Sequence, residues 1–172
     1  MKLNIPLLVI IIVLGLGVLG SYIPIFLDSY KNSSDPYWVM NKSQRTPYYI
    51  FILLAVFGFL TFALYYLNDE NKPSSGILSK NSNLEIIITS VLLFSILWSV
   101  FVYLSVTKGS KAYKVLCTIS LFAVALSSVM LFIGIMQDKN APAYVIAAII
   151  LFCTVTVLSD AIGWNTKFIS SW

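Results

Sequence analysis

Asp160 is the one acidic residue inside the long apolar stretches of this 172-residue chain, and its surroundings say most about what chemistry is open to the protein. Trp164 follows four residues later, on the same face of a helix. Trp98 lies near the middle of another apolar stretch, with Ser95 and Ser99 on the adjoining face. A charge at the bilayer centre costs ~2.5–3.5 kcal/mol on insertion scales. An acid in such a stretch therefore either sits at the membrane interface or serves a ligand or partner. Asp160 lies about one turn from the end of its stretch, which leaves both readings open. A mid-membrane Trp with neighbouring hydroxyls can simply pack, or it can form a stacking wall for a flat apolar ligand.

Other chemistries lack their parts. There is no His, so the serines have no usual activator and the commonest metal ligand is missing. No paired-carboxylate site, Gly-rich phosphate loop or metal-ligand spacing occurs. Cys117 and Cys153 both fall in apolar stretches, where they read as small packing residues. The sequence therefore points away from an enzyme, and no cofactor is required by it. The formal charge of +4 is spread over connecting segments, which favours contact with a lipid surface and gives no reason to expect a nucleic-acid partner.

The elements that must position these residues are set by the spacing of the charges. Leu3–Leu27, Thr46–Asn68, Ile86–Thr107, Val115–Gln137 and Asn140–Ser159 contain no Asp, Glu, Lys or Arg. A run of ~20 apolar residues spans the hydrocarbon core as a helix. The runs do not alternate polar and apolar residues, as barrel strands do. The sequence thus predicts an all-α membrane protein, a single bundle of five transmembrane helices at approximately 5–27, 46–67, 84–106, 112–136 and 142–163. The charge-free opening run exceeds the 7–15-residue core of a signal peptide, so the first span is expected to be retained.

The connections carry further signals. Asp28–Arg45 is the longest, and Tyr30, Tyr37, Trp38 and Met40 make it too aromatic for a passive linker. It is expected to pack over one mouth of the bundle. Ser82-Asn83-Leu84-Glu85 matches a capping box, which gives Glu85 a structural role at the start of the third helix. Lys31, Lys42, Arg45, Lys108, Lys111, Lys114 and Lys167 outweigh Lys2, Lys72, Lys80 and Lys139, so the first loop, third loop and C-terminal segment are expected on the cytoplasmic side. Small residues, which let membrane helices approach closely, form stripes: Gly17, Gly20 and Ser21; Ser120, Ala123, Ser127 and Gly134; Ala143, Ala147, Thr154 and Ala161. These stripes are explained equally by packing within one bundle and by a homodimer.

With these features in place the chain resembles the translocator protein/tryptophan-rich sensory protein (TspO/MBR) family of five-helix membrane proteins. Tyr37, Met40 and Lys42 keep the family's Y-x-x-L-x-K spacing, Pro47 takes the first position of its Pro-Pro pair, and Tyr49-Ile50-Phe51 follows. Trp98-Ser99 matches the third-helix L-N-x-x-W-S, with Ser95 at the Asn position. Asp160 and Trp164 match the fifth-helix L-N-x-x-x-W, with Asp160 at the Asn position. Ser43 and Tyr48 replace motif prolines, and the Trp before Tyr37 is missing. The resemblance implies a receptor or sensor that binds a porphyrin, haem-type tetrapyrrole or sterol between the helices, beneath the first loop as a lid, with a role in its transport. It implies a cavity lined by Tyr37, Trp38, Tyr49, Phe51, Trp98 and Trp164, with polar groups from Ser95, Ser99 and Asp160. The alternative is a non-enzymatic scaffold or assembly subunit whose stripes pack against other membrane proteins. A channel is disfavoured, because no polar stripe runs through the spans. Which membrane holds the protein is left open.

Overall fold

The computed structural model describes residues 2–31, 42–80 and 82–170. Five helices are long and apolar enough to cross a membrane, over Ile5–Leu27, Pro47–Tyr66, Asn83–Lys108, Lys111–Gln137 and Ala143–Ser170. The full helices are α1 (Ile5–Lys31), α2 (Lys42–Tyr66), α3 (Asn83–Lys108), α4 (Lys111–Gln137) and α5 (Ala143–Thr154). From α5 the chain runs on through a π-helical stretch, Val155–Trp164, into α6 (Asn165–Ser170), so the fifth span is longer than its predicted end at Gly163. The protein is an all-α, multi-pass membrane protein.

The helices form because every backbone group within the bilayer must be satisfied internally, and local chemistry sets their ends. Asn4 caps α1: its side-chain oxygen accepts from the Leu7 N–H at 3.1 Å. Gly109 ends α3 in the left-handed conformation (φ 63°), its N–H donating to the Ser105 carbonyl, and α4 begins two residues later. The expected capping box at Ser82 does not form. Ser82 itself adopts φ 63° and makes no side-chain cap. Glu85 is turned instead to the Asn4 amide, which donates to it at 3.1 Å. It ties the N-terminal segment to α3.

α3 packs against α1 on one side and α4 on the other; α4 packs against the fifth span, which in turn packs against α2. The backbones of α1 and α2 make no close approach among the described residues. Their side chains nevertheless enter the same two buried clusters. The larger contains Leu7, Phe59, Phe62, Leu131, Ile135, Ile149 and Phe152. The smaller contains Ile25, Tyr48, Trp98, Val102, Cys117, Leu121, Trp164 and Phe168. Leu16, Leu19, Leu53, Phe57, Leu64 and Leu126 point outward, as lipid-facing side chains must. The span serines Ser90, Ser95, Ser120, Ser127 and Ser128 donate to the carbonyl four residues back.

Gly58 marks a close contact between α2 and α5. A Cβ there would stand 2.6 Å from the Ala148 carbonyl oxygen and 3.3 Å from the Phe152 nitrogen. Backbone cannot step aside as a side chain can, so Gly58→Val should force α2 and α5 apart and cost about 1–3 kcal/mol. Gly15→Val, where a Cβ meets nothing, is the control. Equilibrium unfolding in mixed detergent micelles reads the difference.

One end of the bundle is closed by a hydrogen-bonded cap. The N-terminal segment pairs with the start of the second loop: Asn4 N–H donates to the Leu67 carbonyl at 2.8 Å and Asp69 N–H to the Lys2 carbonyl at 2.7 Å. Asp138 is buried and accepts from the Tyr66 hydroxyl (3.0 Å), the Ser74 N–H and hydroxyl (3.3 and 3.1 Å) and the Asn140 N–H (3.2 Å). Gln137 accepts from the Ile77 N–H at 3.0 Å. At the rim, Lys72 lies 2.7 Å and Lys2 3.8 Å from the Asp69 carboxylate. The Lys72 hydrogen bond, helped by the charges of Lys72 and Lys2, holds the Asp69 carboxyl below the usual carboxylate range. The same pair holds Lys72 above its usual value. The Asp69 contribution is therefore present above its unfolded pKa and lost as pH falls through the lowered folded one. The Lys72 contribution is present below its unfolded pKa and lost as pH rises through the raised one. Asp69→Asn should flatten both limbs of the pH–stability curve, by a small amount that ~1 M salt removes.

Candidate functional site

The smaller buried cluster lies toward the opposite end, where α1 and α3 finish, α2 begins and the fifth span ends. Each helix contributes to it for a local reason. On α3, Trp98 and Ser99 share the buried face with Val102 and Ser105. On the fifth span the buried positions are Phe152, Val155 and Thr156, then Ala161, Trp164, Asn165 and Phe168. The step of five residues from Thr156 to Ala161 is the signature of the π-helical stretch, in which the Asn165 N–H reaches back to the Asp160 carbonyl. This wide turn resets the buried face so that Asp160 and Trp164 both meet the bundle.

The aromatic rings form a continuous run across the bundle. Phe26 and Tyr22 of α1 lie 6.1 Å apart, and Tyr22 lies 5.8 Å from Trp98. Trp98 meets Trp164 edge-to-face at 5.4 Å, and Trp164 stacks on Phe168 at 4.4 Å. Beside this run, the Tyr48 hydroxyl donates to Asp160 Oδ1 at 2.8 Å, joining α2 to the fifth span. Ser99 is fully buried, its hydroxyl 2.5 Å from that of Ser21 on α1 and 2.9 Å from the Ile96 carbonyl.

Several polar atoms in this region are buried without a hydrogen bond. They are the indole nitrogens of Trp98 and Trp164, both amide atoms of Asn165 and, on α4 next to the buried Cys117, the Thr118 hydroxyl. Trp164 is 0% and Asn165 1% exposed. Leaving such a donor or acceptor unpaired costs ~1–3 kcal/mol each, so buried polar groups are normally paired. By contrast, the cap at the other end satisfies its buried Asp138 from every side.

The residues expected from sequence divide into three groups. Trp98 and Trp164 come together, with Ser99 buried next to Trp98 on α3 and Asp160, half-buried, taking the Tyr48 hydroxyl from α2. Ser95, half-buried on α3, spends its hydroxyl hydrogen on the Val91 carbonyl. Tyr49 and Phe51 are 36% and 46% exposed and lie outside the buried cluster, because Tyr48, not Tyr49, occupies the inward position of α2. They do not line this site. Tyr37, Trp38 and Met40, and with them the lid, lie outside the described residues.

Tyr22, Tyr48, Asn165 and Phe168 were not anticipated. Phe168 could have been found, since it continues the four-residue spacing Asp160, Trp164, Phe168. Tyr48 could not, because its position in the motif pointed to a proline and to no contact. No family model, no curated protein and no solved structure matches the chain, so the motif resemblance stands on the residues quoted above.

Proposed function

We propose that this membrane protein binds a small, largely apolar ligand within the bundle, at the cluster of Tyr22, Tyr48, Trp98, Asp160 and Trp164, and that it acts as a receptor or carrier for that ligand. The observation that carries the reading is the pair of buried, unpartnered indole nitrogens of Trp98 and Trp164 inside an aromatic cluster, with the unpartnered Asn165 amide next to Trp164 in the chain. Ligand sites are mostly apolar with a few placed polar groups, and these are polar groups without a hydrogen-bond partner among the described residues. The motif positions of Trp98, Asp160 and Trp164 favour a flat tetrapyrrole or a sterol, and they are the basis for assigning the chain to the TspO/MBR family as a divergent member. The ligand enters by displacing ring–ring contacts, and its acceptor atoms pair with the two indole N–H groups.

The test is titration of the protein in lipid nanodiscs with protoporphyrin IX and with a fluorescent sterol, read on the ligand's own emission. Saturable binding in the micromolar range is expected for at least one of them. Trp98→Phe keeps an aromatic ring and removes one donor, so it should weaken binding about tenfold, the value of one buried hydrogen bond. Absence of saturable binding by either ligand would instead favour the non-enzymatic scaffold.

A further inference from the structure

We infer that the ligand presents a positively charged nitrogen to Asp160, so that among molecules of the same shape the site prefers one with an ammonium at that pole to one with a neutral group or a carboxylate there. The inference rests on the binding-site reading above and names the chemistry of one pole of the ligand.

The two carboxylates at the opposite ends of the bundle differ in how they are satisfied. Asp138 takes hydrogen bonds from Tyr66, Ser74 and Asn140, on both of its oxygens. It needs nothing from outside the chain. Asp160 takes one, from Tyr48 on Oδ1, and no other described residue donates to it. A carboxylate has roughly four acceptor positions, so most of this one is unused. The ion pairs among the described residues that involve Lys2, Lys72 and Asp69 lie at the far end, in the cap. Asp160 is half-buried in the folded chain, and a carboxylate within a membrane span is costly unless it is paired.

The neighbours of Asp160 match a cation. Tyr48 donates to Asp160, and Tyr22, Trp98 and Trp164 pack in the same aromatic cluster as Tyr48. The negative faces of such rings attract ammonium groups, and the attraction grows when water is excluded. A carboxylate beside stacked aromatics recognises a protonated amine by charge, by hydrogen bonding and by ring contact together. An amide at position 160, as the family motif has it, would supply only the hydrogen bond. The unpaired indole N–H groups remain for an acceptor elsewhere on the same ligand.

The experiment uses three sterols that differ only at C3: a 3β-ammonium, a 3β-hydroxyl and a 3β-hemisuccinate. They compete against a fluorescent sterol on the full chain in zwitterionic nanodiscs, so that surface charge does not sort them. The ammonium sterol should bind at least about tenfold tighter than the hydroxyl sterol, as for a desolvated cation–carboxylate contact, and the hemisuccinate more weakly than either. Asp160→Asn should bring the ammonium-to-hydroxyl ratio to within about twofold of one. Tyr48→Phe removes the internal donor, leaves the carboxylate and should raise that ratio. A ratio near one in the native protein, or a ratio that Asp160→Asn leaves unchanged, overturns the inference while the binding-site reading survives. Failure of all three sterols to compete overturns the inference, and the binding-site reading falls with it only if protoporphyrin IX also shows no saturable binding. Asp160-dependent binding of the ammonium sterol alone supports the cation site and removes the neutral sterol as ligand.

Discussion

Asp138→Ala is expected to destabilise the bundle by about 3–5 kcal/mol, more than any other single change in its polar end, because it removes one group and orphans several. The Tyr66 hydroxyl is fully enclosed and donates to Asp138 Oδ2. Ser74, through its N–H and its hydroxyl, and Asn140, through its N–H, converge on Oδ1. Hydrogen bonds to a charged acceptor are each worth ~1.5–3 kcal/mol, and they do not add fully. Asp138→Asn keeps one acceptor oxygen but presents an NH2 where another donor already points, so it should recover only part of the loss. The consequence is also local. Ser74 lies in the second loop and Asn140 in the fourth, so Asp138 joins two loops and the end of α2. Limited proteolysis within Lys72–Lys80 should therefore accelerate in Asp138→Ala before global unfolding is seen. Unfolding in mixed micelles gives the global term. Equal loss in Asp138→Ala and in the exposed ion-pair variant Asp69→Asn would remove the clamp from this account.

The architecture was legible because it follows from one quantity, the length of charge-free sequence between Lys, Arg, Asp and Glu. The bilayer imposes that length on any helix that spans it, so all five spans were readable without knowledge of their packing. What was not legible depends on contacts between distant segments. Ser82 and Glu85 have the spacing of a capping box, yet Asn4, far away in sequence, takes Glu85. Nothing near Asp138 in sequence announces its four donors, since three of them come from α2 and the second loop. On the fifth span the spacing of Asp160 and Trp164 placed them on one face, and that was enough to bring Trp164 against Trp98. The π-helical turn that sets their direction left no sequence mark. On α2 the neighbours Tyr48 and Tyr49 are chemically identical, and only packing decides that Tyr48 points in.

The same end of the bundle sets up the second large effect. Trp164 is fully buried, meeting Trp98 edge-to-face and stacking on Phe168. Trp164→Ala leaves a void that the flanking rings cannot fill, and should cost about 3–5 kcal/mol. Trp164→Phe makes a different prediction. It gives up part of the ring, but it also removes an indole N–H that is buried with no partner. The unpaired donor costs ~1–3 kcal/mol, which offsets most of the packing lost, so Trp164→Phe should unfold within about 1 kcal/mol of the native protein. A residue whose polar atom weakens the empty bundle, yet which Phe could replace at little cost to the fold, is explained by what that atom does when a ligand is present. Trp164→Phe should accordingly lose ligand affinity about tenfold while keeping its stability, and ligand should raise the unfolding midpoint of the native protein more than that of the variant. If Trp164→Phe instead destabilises the bundle as much as Trp164→Ala, the indole N–H has a partner within the folded chain. The unpaired donors would then no longer argue for a ligand.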